Sequence, residues 1–376
     1  MLLKTDAYLY FFPMATIYGM LIIPVSVYSI TSGHSLLPGI ATPLGHAHEL
    51  IFGYALAVMT GYLLNKVPLW WIVSLMITWI FARLTFVYMP GSLVADISNT
   101  IFFSGFALAG ASRFLPGAKK WRNKMFGINI LLLGIAGFGT HLVVDGMALS
   151  SLYAITHAGV LMATLLMLMM GGRMLAPAVA GHIESQGGTL EARIQPRIEA
   201  ALILMMLAAT ATYLLSVPSL IPGLLLITTA SLTLVRLFRW RLWNCLQRTD
   251  LLALALGYGW IAVGLLLMGG AMVTEQSFSS AIHAITIGAI GTLTLTVMSR
   301  VWMQRSGLKP QTFVELPYVV LLISLATVLR LLSGLFNAEF ILAVHMSATT
   351  MWALAFVIVI LRVFWKYPGY NTRKRG

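Results

Sequence analysis

Six of the eight histidines in this chain stand in, or at the mouth of, long apolar runs: His46, His48, His141, His157, His283 and His345. The densest group opens the stretch GHAHELIFGYALAVMTGYLL, residues 45–64, in which His46, His48 and Glu49 precede an apolar run of membrane-crossing length. Imidazole is the commonest metal ligand and a standard axial ligand of haem iron. With one cysteine, Cys245, no internal disulfide and no thiolate cage is available. A haem or a copper ion is then the natural occupant of a histidine set. Geometry limits the H-x-H pair, because residues two apart on a helix point about 200° apart. His46 and His48 therefore face different neighbours unless the helix begins between them. Glu49 has two readings, a first-turn anion that complements the helix dipole or the carboxylate that orients a ligating histidine.

Apolar helices must position these side chains. The chain has 376 residues, 59% hydrophobic and 9% charged, where soluble domains carry about 25% charged residues. That composition predicts a single integral membrane domain over 1–376. Lipid offers no partner to loose backbone groups, and the spans lack the alternation of a barrel, so the fold class is all-α, a polytopic membrane helix bundle. Runs of about 20 apolar residues predict about 12 transmembrane helices, near 9–30, 46–66, 68–89, 92–115, 125–147, 149–171, 198–217, 219–237, 250–273, 277–303, 314–335 and 338–365. The start MLLKTDAYLYFF runs directly into the first of these, so no cleavable signal peptide is expected.

The formal charge of +13 is spread over short loops, the pattern of membrane orientation rather than of nucleic-acid binding. With the N-terminus inside, every Lys and Arg falls on the inner side except Arg83 and Arg330, which lie within spans three and eleven. That asymmetry places both termini in the cytoplasm. It also aligns the histidines. His46 and His48 come to the outer end of span two, while His141, His157, His283 and His345 come roughly 9–12 Å below the outer surface at 1.5 Å per helical residue. Six imidazoles from five helices share one layer, and His34 and His182 fall in loops. Intramembrane ionisable groups default to function; the plain alternative is an interhelical hydrogen bond each, worth about 1 kcal/mol. Arg83 and Arg330 share the depth of the layer and need anionic partners. Asp96, Asp145 and Glu339 are candidates, and haem propionates are another. Gly288 and Gly291, one turn beyond His283, would leave room for a flat ligand or tighten a helix pair.

The segments HAHELIFGYALAVMTGYLL with VPLWW, GGRMLAP (171–177) and HAITIGAIGTLTLTVMSR (283–300) resemble the signature of NnrS family membrane proteins, as do the twelve-span layout and Trp352 late in the chain. The resemblance covers nearly the whole sequence. It implies a bacterial inner-membrane protein that binds haem b and copper, takes nitric oxide or a related small ligand, and acts in nitric oxide metabolism or nitrosative-stress resistance. By position it carries over His46, His48, Glu49, Gly171, Gly172, Arg173, His283, Gly288, Gly291 and Arg300. The chain departs from the pattern at Tyr10, where the family has an arginine, in WMQRSGL after Arg300, and in APAVAGH after the GGR. Whether the ligand is turned over, and by what electron donor, is left open by the residues. Two other functions fit the composition, a histidine-lined transporter or proton relay and an assembly scaffold for a respiratory enzyme.

Overall fold

The computed structural model describes residues 4–35, 37–141 and 148–370. Helices account for nearly all of it. They are α1 (Tyr8–Ser32), α2 (Pro43–His48), α3 (Leu56–Leu63), α4 (Leu69–Tyr88), α5 (Leu93–Phe114), α6 (Trp121–Gly139), α7 (Leu149–Ser185), α8 (Pro196–Leu214), α9 (Leu220–Arg239), α10 (Thr249–Val273), α11 (Thr292–Arg305), α12 (Leu316–Leu332) and α13 (Ala338–Val359). The π-helical segments Glu49–Ala55, Ala284–Gly291 and Ile360–Phe364 join α2 to α3, lead into α11 and extend α13. The two strands described, β1 (Lys4–Thr5) and β2 (Val67–Pro68), form a short antiparallel pair that ties the N-terminus to the end of α3.

Ten helices are long and apolar enough to cross a membrane. The continuous helical run 43–63 and the 19-residue α6 complete the twelve expected segments. The chain is an all-α, multi-pass membrane bundle. Two expectations need correction. The sixth segment does not stop near 171: α7 runs 37 residues to Ser185 with Pro177 inside it, which places His182 in its last turn and not in a loop. The fifth helix ends at Gly139, so His141 lies in the turn that follows it and not within the span. Gly134, Gly137 and Gly139 supply the small surfaces at that end, and no local sequence signal marks the stop.

The chain divides into two compact units, residues 1–160 with 336–365, and residues 161–335 with 366–376. In the first, α1 packs on α3 and α13, and α4, α5 and α6 pack in sequence. Phe11, Phe12, Phe52, Tyr54, Phe102, Phe103 and Phe356 fill its interior. In the second, α8, α9 and α10 form a consecutive stack, with α10 also against the π-helical segment 284–291 and α11.

Face segregation shows how sequence becomes packing. Helix α4 buries Ile72, Leu75, Trp79, Ala82 and Arg83, spaced by three and four residues, and exposes Ile77, Phe81, Leu84 and Tyr88. The exposed face is as apolar as the buried one, because its solvent is lipid. Arg83 is thus the charged exception on a face that packs inward.

Candidate functional site

The site belongs to the first unit and grows from the turn TPLGHAHE. Thr42 caps α2 by accepting a hydrogen bond from the Gly45 amide at 3.1 Å, and Pro43 occupies the first helical position. Six residues later the helix widens into the π-helical segment Glu49–Ala55. Such one-turn expansions leave carbonyls off the regular ladder and are frequent at functional sites. Here the Trp79 indole donates to the Gly53 carbonyl at 3.0 Å, so the irregular backbone is satisfied inside the bundle.

His46 and His48 diverge as helical geometry requires. His46 Nδ1 lies 3.1 Å from the Ser26 hydroxyl, whose own proton goes to the Ile40 carbonyl. His48 turns the other way, into a fully interior cluster. Its Nδ1 is 2.9 Å from Glu49 Oε1, and its Nε2 is 2.9 Å from His141 Nε2. His141 Nδ1 in turn is 2.8 Å from Asp96 Oδ1. Arg83 donates to Glu49 Oε1 at 2.6 Å and to the Asn99 side-chain carbonyl, and the Tyr18 hydroxyl donates to the second oxygen of Glu49. Glu49 is 1% exposed and Arg83 and His48 3%, whereas Asp96 is 29% exposed, so the chain of groups opens at Asp96.

Packing closes the rest. Phe86 stacks on the His48 ring with centroids 4.0 Å apart, and Phe52 and Phe103 stand at its edges. Gly53 is required at its position: a Cβ there would lie 2.9 Å from Glu49 Oε2 and 3.0 Å from the Arg83 guanidinium.

The proton arrangement follows from donor chemistry. An ionised carboxylate only accepts, so Glu49 and Asp96 each hold an Nδ1–H, which leaves the two Nε2 atoms as the reactive ends of both rings. Two bare lone pairs do not rest 2.9 Å apart. A shared proton or a cation must sit between them. Among the described residues Glu49 and Asp96 bring two negatives to the cluster and Arg83 one positive, and a shared proton or a cation offsets the difference. A carboxylate behind each imidazole is also the outer-shell pattern of metal-ligating histidines. The donor set fits a copper ion, for which imidazole is a suitable ligand. It does not fit haem iron gripped between the two rings. Nitrogens on opposite sides of an iron stand about 4 Å apart, twice a metal–imidazole bond of about 2 Å, against the 2.9 Å found here. No group of three or more His, Cys, Asp or Glu is placed around one metal position among the described residues.

The other expected residues take separate places. In the first unit, His345 Nδ1 is 3.5 Å from the Thr31 hydroxyl, and His157 stands beside the Tyr153 ring on α7. In the second, His283 Nδ1 meets the Ser279 carbonyl of its own turn at 2.8 Å. Arg330 donates to the Ser333 hydroxyl at 3.0 Å and approaches Ser280 at 3.5 Å. Arg83, expected to need an anionic partner, spends its two terminal nitrogens on Glu49 and Asn99. Asp145, a candidate partner, lies outside the described residues. The room expected at Gly288 is filled by the Trp260 ring, which a Cβ would meet at 2.8 Å, so close packing explains that glycine.

The GGR motif also has a packing reason. Gly171 and Gly172 admit Tyr258 and Arg236, which a Cβ would meet at 2.2 Å in both cases. Both side chains donate to the Leu168 carbonyl. Arg173 is 3.6 Å from Glu199. Arg300 pairs with Asp250, which Arg248 also grips at 3.0 and 3.1 Å. Sequence reasoning missed Tyr18, Asn99 and Asp250. Asp250 carried a signal, as a carboxylate at the start of an apolar run; Tyr18 and Asn99 carried none.

A family model described as NnrS protein matches residues 4–367, nearly the whole chain. No curated protein and no solved structure matches it.

Proposed function

The chain belongs to the NnrS family, and from that premise we propose that it binds copper and haem b and acts in nitric oxide metabolism or nitrosative-stress resistance in the bacterial inner membrane. The observation that carries the reading is the His48–His141 pair, two imidazoles oriented by carboxylates with their Nε2 atoms facing each other at 2.9 Å. His48 and His141 would hold copper. A copper ion bound there would supply a coordination position for nitric oxide and one-electron chemistry. Glu49 and Asp96 fix the ring orientations and keep the Nδ1 protons. Arg83 neutralises Glu49, Tyr18 donates to the second Glu49 oxygen, and Asn99 accepts from Arg83. Phe52, Phe86 and Phe103 exclude water from the His48 face. Haem b enters from the family alone; its ligand candidates are His46, His157 and His345 in the first unit, or His283 in the second with Arg330 as a propionate partner.

A second reading, a proton relay, is favoured by the unbroken run from Glu49 through both rings to the partly exposed Asp96. The test is metal analysis and visible spectroscopy of detergent-purified protein from haem- and copper-replete cells, with and without nitric oxide. The proposal expects stoichiometric copper, a Soret band, and a spectral shift on adding the gas. Colourless, copper-free protein would overturn the proposal and leave the relay or an assembly scaffold.

A further inference from the structure

A cavity of about 430 Å³ lies in the second unit, where α8 and α10 end and α9 begins. Its lining combines the Tyr213 and Phe278 rings and Met272 with Ser216, Ser219, Glu275 and Gln276. No lysine or arginine lines it, although the chain carries 24 of them against 11 acidic residues. The Glu275 carboxylate has no hydrogen bond or ion pair among the described residues.

The backbone adds a second observation. Both helices end in matched caps: Ser216 N bonds the Tyr213 carbonyl and Val217 N that of Thr212, while Glu275 N bonds Met272 and Gln276 N bonds Ala271. The left-handed position of such a cap is normally glycine. Here it holds Ser216 at φ 53° and Glu275 at φ 55°, two of the four non-glycine residues with positive φ among those described. A side chain kept at such a position against the backbone preference is a mark of ligand sites. Two helix C-termini also direct their negative ends here, against one N-terminus.

We propose that this cavity binds a primary ammonium group. Glu275 neutralises its charge, the Ser216, Ser219 and Gln276 oxygens accept its three N–H donors, and the Tyr213 and Phe278 rings cover the attached carbons. The loops that form the cavity join membrane-spanning helices, so the amine is either a soluble molecule or the ethanolamine headgroup of a phospholipid.

The full-length protein in detergent separates these sources. Calorimetric titration with ethanolamine reads the soluble amine, and native mass spectrometry with phosphatidylethanolamine or phosphatidylcholine reads the lipid. Ethanolamine binding, selective retention of phosphatidylethanolamine, or both are expected, with a loss of at least about tenfold in Glu275→Gln. Glu275→Gly is expected to lose the same binding while its melting temperature rises by about 2–4 °C as the cap relaxes. Three results overturn the proposal: no binding of either probe, binding that survives in either variant, or equal retention of phosphatidylcholine without ethanolamine binding.

Discussion

Two segments of this chain are built alike and surrounded differently. His48 stands before the π-helical stretch Glu49–Ala55, and His283 before Ala284–Gly291. Around His48 gather a carboxylate, a second imidazole and a buried guanidinium. Beside His283 stands the carbonyl of its own helical turn, and Arg330, a guanidinium of the same unit, meets two serines and no carboxylate among the described residues. The first histidine is 3% exposed, while His283 sits where its turn opens outward. The lesson is that a histidine in an apolar helix is not yet a site. A carboxylate behind the His48 ring fixes its tautomer and direction, whereas the Nδ1 of His283 rests on a backbone carbonyl.

The comparison breaks most sharply at the arginines. Arg83→Ala strands Glu49 in the interior, and loss of one partner of a buried pair costs about 3–5 kcal/mol. Arg330→Ala removes hydrogen bonds to hydroxyls alone and should cost about 1 kcal/mol. Unfolding of the two variants in detergent, followed by circular dichroism, checks the order, and equal losses would erase the distinction. Asp96→Asn addresses orientation without burying a charge, since Asp96 is partly exposed. Copper affinity should fall about 10–100-fold, while His283→Ala leaves it unchanged, both read by competition with a copper chelator. Gly53→Ala presses a methyl group against Glu49 and Arg83 and should destabilise by about 1–3 kcal/mol. Gly259→Ala, with nothing within 4 Å of its Cβ, should be neutral or stabilise by up to about 1 kcal/mol. In His46→Ala the lost contact with Ser26 is expected to cost about 0.5–1.5 kcal/mol in the same unfolding measurement.

Much of this architecture is legible in the residues, for identifiable reasons. Apolar runs of bilayer length mark the helices because lipid imposes both length and backbone closure. The expected run at 46–66 and the observed 43–63 differ by one turn at the cap, where Thr42 and Pro43 set the start. The overlong α7 is hidden because Gly171, Gly172, Arg173 and Pro177 read as a stop, while the helix continues past Pro177 to Ser185. At the site, the HAHE stretch points to the right place, and helical geometry already separates His46 from His48. The partners are not legible. Glu49 reaches Arg83 across 34 residues and His48 reaches His141 across 93, distances set by how helices pack rather than by local spacing. For Arg83 the residues offer Asp96, Asp145, Glu339 or an external anion as partners, and Glu49, read as a helix anion or a histidine partner, is not among them. The π-helical turns have no local signature at all; they show only once Trp79 is seen to satisfy the Gly53 carbonyl.

The central claim is that His48 and His141 together hold one copper ion. Copper K-edge X-ray absorption of the purified, copper-loaded protein, with copper counted per chain, addresses it directly. The account predicts one copper per chain with nitrogen neighbours at about 2 Å and imidazole scattering behind them, abolished in His48→Ala and in His141→Ala alike. An unchanged copper spectrum in the double variant, or a first shell dominated by methionine sulfur, would contradict it.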